Sequence, residues 1–207
     1  MTTKNPLQRR RAPQQKRSQK RINEILDATA RLLAEVGLDD LTTVLIAQEL
    51  GISVGSVYHY FPNKFAILYT VGERWLEDMT CVLEAVETWD MQELGIDGFV
   101  DQYCDEMLRV YHQQISVLPL VQAMFAVPEL HELDERHDEI IISGLIGVFK
   151  RLGLKASNDE LDRVGRLMLE MSHALLLVIV NQNKTRSVRT LEDLKTMLCE
   201  YLSKQPA

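Results

Sequence analysis

One glycine constrains the stretch around which this chain is organised. Residues 41–64 read LTTVLIAQELGISVGSVYHYFPNK. Thr42 or Thr43 can cap a helix, because a hydroxyl accepts a bond from a free N–H of the first turn. Ile46, Ala47 and Leu50 recur at helical spacing and make one apolar face. Gly51 follows where a left-handed residue ends a helix at no steric cost. Ile52 fills the corner, and Ser53 caps a second helix running through Val57, Tyr58 and Tyr60 to Phe61. Pro62 stops it, since the residue before a proline is pushed out of helical geometry. Phe61 is expected in the core. Two helices joined by a short turn containing Gly form a helix-turn-helix. By spacing alone, a helical hairpin with a polar outer face fits equally well.

The residue types of the second helix add direction. Val54, Gly55, Ser56, Tyr58, His59 and Tyr60 suit a helix that enters a groove. Small residues permit close approach, and hydroxyl, phenol and imidazole groups can bond phosphates or base edges. Leu41-Thr42-Thr43, Ile46-Ala47, Leu50-Gly51-Ile52-Ser53, Gly55-Ser56-Val57-Tyr58, Tyr60-Phe61 and Lys64 together resemble the N-terminal DNA-binding domain of the TetR family. These are one-component bacterial transcriptional regulators, mostly repressors. The resemblance covers residues 18–70 or so, and the Tyr-x-Tyr-Phe-x-x-Lys ending is its most typical part.

Chemistry and resemblance together make Thr43, Ser53, Tyr58, Tyr60 and Lys64 phosphate candidates. Thr42, Arg17 and Arg21 join them at the DNA face. Val54, Gly55 and Ser56 open the recognition helix, where base edges are met through thymine methyls and close backbone approach. His59 can reach either a phosphate or a base. Val44 departs from the pattern, since many relatives carry a polar or basic side chain there. Fewer direct hydrogen bonds are therefore expected from the first helix, and more reliance on DNA shape. Lys64 sits in the first turn of a long helix, against the helix dipole, and a nearby phosphate would account for it.

Net charge is −7, which by itself speaks against a nucleic-acid partner. Its distribution reverses that. Residues 1–65 hold ten Lys and Arg against six Asp and Glu, a balance of +4, and the rest hold thirteen against twenty-four, a balance of −11. A basic end on an acidic body puts the phosphate-binding surface at the N-terminus. Residues 1–17 carry Lys4, Arg9, Arg10, Arg11, Lys16 and Arg17 with no acidic residue and read as a disordered basic arm. No apolar run reaches membrane-spanning length, and nothing resembles a signal peptide. A bacterial cytoplasmic regulator, associated with the nucleoid when bound to DNA and making no membrane contact, is expected. Cys81, Cys104 and Cys199 are widely spaced and odd in number. They read as buried or half-buried reduced thiols rather than a disulfide framework.

The fold class expected is all-α, with a three-helix DNA-binding domain at 18–64 and a larger helical domain at 65–207. Ser18 is a candidate cap for a first helix over 18–36, with Ile22, Ile25, Leu26, Thr29, Leu32, Leu33 and Val36 as its apolar stripe and Gly37 as its stop. The polar first turn of that helix, Lys20 and Arg21, would face DNA. A long helix over 63–88 connects the two domains. Further helices are expected near 96–114, 115–126, 129–152, 158–184 and 190–203, broken at Pro119, Pro128, Gly153 with Ser157-Asn158, and the polar stretch Asn181–Arg189.

The resemblance implies a homodimer on palindromic double-stranded operator DNA, released by a small-molecule effector. The first of the last two helices is apolar on more than one face and the second carries a leucine stripe, and Met168, Leu175, Leu176, Ile179, Leu191, Leu194, Leu198 and Leu202 are assigned to the dimer interface. Trp75, Phe99, Tyr103, Met107, Tyr111, Met124, Phe125, Phe149, Met171 and His173 could line an effector pocket, an apolar or aromatic ligand being preferred. The same residues would equally serve as plain core. His131 and His137 in HELDERHDE lie on different helix faces, so a solvated charged face is expected and no metal site. No cofactor is called for. Nothing argues for an enzyme, since neither a Ser-His-Asp order nor paired catalytic carboxylates can be drawn from spacing. The competing function is a helical small-molecule-binding or scaffold protein whose helix-turn-helix does not bind DNA.

Overall fold

A computed structural model describes residues 16–206. Most of the expected basic arm, residues 1–15, lies outside the described residues. Among the described residues the secondary structure is helical, without strands. The helices are α1 (Lys16–Asp40), α2 (Thr43–Glu49), α3 (Val54–Tyr60), α4 (Lys64–Glu87), α5 (Met91–Gln113), α6 (Leu118–Met124), α7 (His131–Arg151), α8 (Asn158–Val180) and α9 (Lys184–Ser203). A single 3-10 turn, Pro128–Leu130, precedes α7. Among the described residues two compact units result, one from residues 16–76 with 116–134 and the other from 77–115 with 135–206. The divisions fall inside α4, between α5 and α6, and inside α7.

The first unit is built on α1. Its stripe of Ile22, Ile25, Leu26, Ala28, Thr29, Leu32 and Leu33 is buried, while Val36 at its end is 37% exposed. Lys16, Arg17 and Ser18 are already helical, so Ser18 is not a cap and the arm ends sooner than its composition suggested. Gly37 adopts φ +75° and breaks the helix as expected. α2 packs on α1 and α3 on α2, and α6 also lies against α1. Leu41, Ile46, Val57, Phe61 and Ile67 close the core with essentially no exposure. On α4, Gly72 gives room to Leu133, whose Cδ1 lies only 2.6 Å from where a Cβ would stand.

The turn between α2 and α3 is set by two backbone bonds. Gly51 N–H donates to Gln48 O at 3.1 Å and Ile52 N–H to Ala47 O at 3.0 Å. This is the Schellman arrangement, which needs a left-handed residue at the glycine. Gly51 supplies it with φ +61°. Thr42, not Thr43, is the cap of α2, its hydroxyl accepting from Leu45 N–H at 3.1 Å. Ser53 caps α3 by accepting from Ser56 N–H at 3.1 Å.

The second unit packs α5, α8 and α9 against one another. Its helix starts differ from the sequence expectation in two places. Asp90 caps α5 through Gln92 N–H and Glu93 N–H at 3.0 and 3.1 Å, so the helix starts before 96 and bends at Gly95. Asn183 caps α9 through Arg186 N–H at 3.2 Å, so Lys184–Arg189 is helical rather than a break. That stretch is polar because it is exposed, and it contains neither Gly nor Pro to stop a helix. Ser157 and Glu160 make a reciprocal capping box at the start of α8.

The assignment of the dimer stripe needs correcting. Met168, Leu176, Ile179, Leu194, Leu198 and Leu202 are all buried within a single chain. They fill the seam among α5, α8 and α9, and only Leu175 and Leu191 of the assigned set are half-buried. On α8 and α9 the large apolar side chains left exposed are Leu167, Val178, Val188 and Met197, each 40–49% exposed. Leu167 and Val178, with Met171 and Ala174 between them, fall on one face of α8 by helical spacing.

The cysteines divide three ways, with Cys81 exposed, Cys104 buried and Cys199 half-buried, so the expectation fails for Cys81. Burial lifts the Cys104 thiol to about 12. Burial, and then the Asp97 carboxylate, lift Cys199 to about 11. Both stay protonated at neutral pH and are poor nucleophiles.

Gly51→Ala tests the turn. An added Cβ at Gly51 meets nothing within 4 Å, so only backbone strain opposes it. The variant should lose about 1–2 kcal/mol of stability in urea unfolding.

Candidate nucleic-acid interface

The outer surface of the first unit is assembled from three short pieces of chain. α3 contributes its exposed face, the N-terminal half of α1 contributes cations, and the turn contributes Ile52 and Ser53. Between them lies a cleft of about 580 Å³. Arg17, Lys20, Arg21 and Glu24 of α1 line one side, and Ile52, Ser53, Gly55, Ser56, His59 and Tyr60 line the other. Sequence expectation thus brings Arg17, Arg21, Ser53, Gly55, Ser56, His59 and Tyr60 to one place. His59 and Tyr60 meet edge to face, their ring centroids 5.0 Å apart. The Ser53 and Ser56 hydroxyls lie 2.8 Å apart, so each presents its remaining capacity outward.

Glu24 is the residue the site reading missed. Its carboxylate pairs with Arg21 at 2.7 Å and lies 4.0 Å from Lys20. The signal was present in the spacing, since positions three and four apart on a helix share a face. A carboxylate inside a cationic cleft lowers its local potential and holds Arg21 in a fixed direction.

The remaining candidates stand outside the cleft. Val44 is 47% exposed and Tyr58 is 41% exposed, so both present their side chains to solvent. Thr42 is exposed but its hydroxyl oxygen is committed to capping α2. Val54 is half-buried. Thr43 is only 8% exposed, and its hydroxyl donates to the Tyr58 phenol oxygen at 3.1 Å. It therefore orients Tyr58 rather than offering an outward group of its own.

Lys64 is spent differently from the expectation. Its Nζ donates to Leu38 O at 3.2 Å and to Leu41 O at 3.3 Å, and it sits 5.6 Å from the centroid of the Phe65 ring. A cation at the start of α4 is poorly placed for that helix, but it stands among carbonyls at the end of α1, where a positive charge is favoured. The apparent misplacement is resolved inside the protein. Two further ties fix the same unit, Arg31 to Glu49 at 3.2 Å and Arg74 to Asp27 at 2.9 Å.

The residues considered for an effector fall in both units. Trp75, Met124 and Phe125 belong to the first and the others to the second. Trp75, Phe99, Tyr103, Met107, Tyr111, Met124 and Phe149 are buried, and Met171 and His173 are half-buried. Phe125 is 81% exposed at the end of α6 and cannot line an internal pocket, which corrects its assignment. In the second unit Phe99 and Tyr103 stack with centroids 5.5 Å apart.

A polar group lies among these apolar residues. The Tyr111 hydroxyl and His173 Nδ1 are 2.6 Å apart. The His137 ring lies 6.3 Å from that of His173, and Asp138 stands beside His137 and accepts from Arg166 at 2.9 Å. His137 is only 7% exposed, so the charged run 131–139 is not wholly solvated. Among the described residues, no three His, Cys, Asp or Glu side chains stand together as a metal site would require. Burial first, then the neighbouring His137, hold His173 down at about 4, with Asp138 opposing. At neutral pH the imidazole is uncharged, so the bond joins a neutral phenol to a neutral ring.

Residues 25–69 match the family model described as bacterial regulatory proteins, tetR family. Residues 96–202 match that of the tetracyclin repressor-like C-terminal domain. The HTH-type transcriptional regulator BetI of Stenotrophomonas maltophilia is 29% identical over 143 residues, 64% of this chain and 68% of the relative. The protein of that name from Escherichia coli K12 DH10B is 36% identical over 139 residues, 63% and 69% of the two chains. A TetR-family transcriptional regulator of Mesorhizobium loti superposes with a TM-score of 0.72 at 19% identity, over 93% of this chain and all of the other.

Two outcomes check the site. Glu24→Gln removes the carboxylate from the cationic cleft and should tighten DNA binding roughly two- to fivefold at low salt, measured by gel shift. His173 has a folded pKa below its unfolded one, so the unfolded chain binds more protons between them. Stability should therefore fall as pH drops from about 6.5 towards 4, by on the order of 2 kcal/mol. His173→Gln should remove that part of the acid loss in urea unfolding at pH 7 and pH 4.5.

Proposed function

The chain belongs to the TetR family and is a DNA-binding transcriptional regulator, and from that premise we propose that it is a repressor reading a palindromic operator through α3 and the cleft beside it. Family members bind operator DNA as dimers and respond to small-molecule effectors. The observation that carries the proposed docking is the union of the exposed α3 face with Arg17, Lys20 and Arg21 across one cleft. The cations of α1 take phosphates and fix register, while Gly55, Ser56 and Val54 come close to base edges. Tyr58, steadied by Thr43, bonds a second stretch of backbone. Val44, exposed and apolar, adds contact without hydrogen bonds, leaving part of the selectivity to groove shape.

The dimer forms through the α8 face that carries Leu167, Met171, Ala174 and Val178, with Met197 of α9 beside it. Leu167, Val178 and Met197 are among the large apolar side chains that the protomer's own core leaves exposed. One seven-residue recognition helix reads few bases, and two related by a two-fold axis read both halves of a palindrome.

The effector occupies the second unit. Phe99, Tyr103, Met107 and Tyr111 supply an apolar, aromatic lining, and His173 supplies a neutral hydrogen-bonding anchor. Binding acts by population shift. An effector that prefers the non-operator spacing of the two heads lowers DNA affinity by its differential affinity and no more.

Gel shift on the DNA upstream of the chain's own gene, across a salt series, tests this reading. A discrete, steeply salt-dependent complex absent on random DNA is expected. Tyr58→Ala should weaken it tenfold or more, on the order of one charge-assisted contact per half-site. Val178→Glu should give a monomer by analytical ultracentrifugation and lose the complex. Equal, weak binding to every sequence, or an intact dimer in Val178→Glu, would refute the corresponding part.

A further inference from the structure

We infer that the second unit binds an uncharged aromatic molecule carrying one hydroxyl, and that Ser172, beside the Tyr111–His173 pair, is the hydrogen-bond partner of that hydroxyl. The inference names the class of effector and rests on the reading above that the effector occupies this unit.

Serine and threonine inside a helix turn their hydroxyl to solvent or to the carbonyl one turn back. Three buried or helix-borne hydroxyls of this chain take the second course. Thr29 donates to Ile25 O at 2.7 Å, Thr70 to Ala66 O at 3.0 Å and Thr196 to Glu192 O at 2.9 Å. Ser172 of α8 takes neither. It is only 3% exposed, and its Oγ has no hydrogen-bond partner. Met168 and Leu176, one turn before and after it, are buried and apolar. A buried hydroxyl left unbonded destabilises a fold, and alanine would suit the helix better. A ligand group that Ser172 meets accounts for a serine at this place.

The neighbours define the ligand. Ser172 directly precedes His173, and consecutive Cα atoms stand ~3.8 Å apart, so one small molecule reaches both. His173 Nδ1 lies 2.6 Å from the Tyr111 hydroxyl. Tyr111 ends a row on α5, after Phe99, Tyr103 and Met107, spaced on one helix face and buried throughout. Helices α5 and α8 pack together. Met107, unbranched, can repack to admit a ring.

These side chains are all uncharged at neutral pH. Burial raises both phenols above their ordinary range and holds His173 at about 4. Asp138, on α7, is already engaged by Arg166 at 2.9 Å and stands 3.4 Å from His137. A carboxylate or ammonium brought to Ser172 would lose its water without gaining a free counter-ion. A serine hydroxyl donates once and accepts twice, which suits an uncharged hydroxyl on the ligand.

The probe is p-cresol, one ring with one uncharged hydroxyl, with toluene and p-toluate as its apolar and anionic counterparts. Calorimetry on the full-length dimer at pH 7 should show p-cresol binding about tenfold or more tighter than toluene, and p-toluate binding weakest. Ser172→Ala should lose about tenfold in p-cresol affinity and keep its toluene affinity, so the preference narrows. Without ligand the same variant should unfold at higher urea than wild type, because it buries one unbonded hydroxyl fewer.

An unchanged preference for p-cresol in Ser172→Ala, equal binding of p-toluate, or no p-cresol binding to wild type would overturn the inference. So would a urea midpoint at or below that of wild type, which would mean that the hydroxyl is already bonded in the free protein. Gel shift separates the site from the effector reading. Should p-cresol bind through Ser172 and leave the operator complex intact, the site stands and the effector reading falls.

Discussion

The left-handed turn at Gly51 is the constraint on which the working face depends. Two N–H groups, of Gly51 and Ile52, must reach back to Gln48 and Ala47 for α2 to stop where it does. Only then does Ser53 stand ready to cap α3, and only then do Gly55, Ser56 and His59 come round beside the cations of α1. The geometry is encoded by a residue with no side chain, which is why so short a motif can be so exacting. The hydrophobic core beneath it, with Leu41, Ile46, Val57 and Phe61 fully buried, keeps the two helices from sliding once the turn has set them.

The legible parts of the sequence were those where local chemistry and tertiary demand agree. The Ser53 cap, the Gly37 and Gly51 stops and the α1 stripe as far as Leu33 could be read from spacing, and the α2 cap narrowed to Thr42 or Thr43. The illegible parts were those where one pattern serves two masters. A leucine stripe on α9 looks the same whether it faces α8 of its own chain or a second copy. Leu194, Leu198 and Leu202 turned out to be internal, and the uncovered face fell to less conspicuous residues of α8 such as Leu167 and Val178. The polar stretch at Lys184–Arg189 misled in the opposite way, because polarity reports exposure and not the absence of a helix.

Lys64 shows a contact that side-chain patterns could not announce. Sequence alone placed it correctly at the head of α4 and rightly identified the conflict with the helix dipole. What it could not supply was the neighbour that resolves the conflict, because Leu38 and Leu41 lie more than twenty residues back and their contribution is backbone carbonyl oxygen. Side-chain patterns carry no trace of backbone acceptors. The same blindness hid Arg151, whose guanidinium gathers the Val86 and Glu87 carbonyls at 3.2 and 2.8 Å at the end of α4. Thr43 was similarly misread, its hydroxyl turning inward to Tyr58.

The carboxylate of Glu24 in the cationic cleft bears on how a regulator finds its site. A genome presents millions of wrong sequences for each right one, and every one of them offers the same phosphates. A cleft of uniform positive charge would hold them all and leave the protein stranded wherever it landed. One negative charge among Arg17, Lys20 and Arg21 weakens every such encounter by a similar factor, while contacts that depend on the right bases are untouched. Together with the balance of −11 on residues 66–207, it trades grip for mobility. A residue that lowers the protein's attraction to DNA in general thereby shortens its search for one segment in particular.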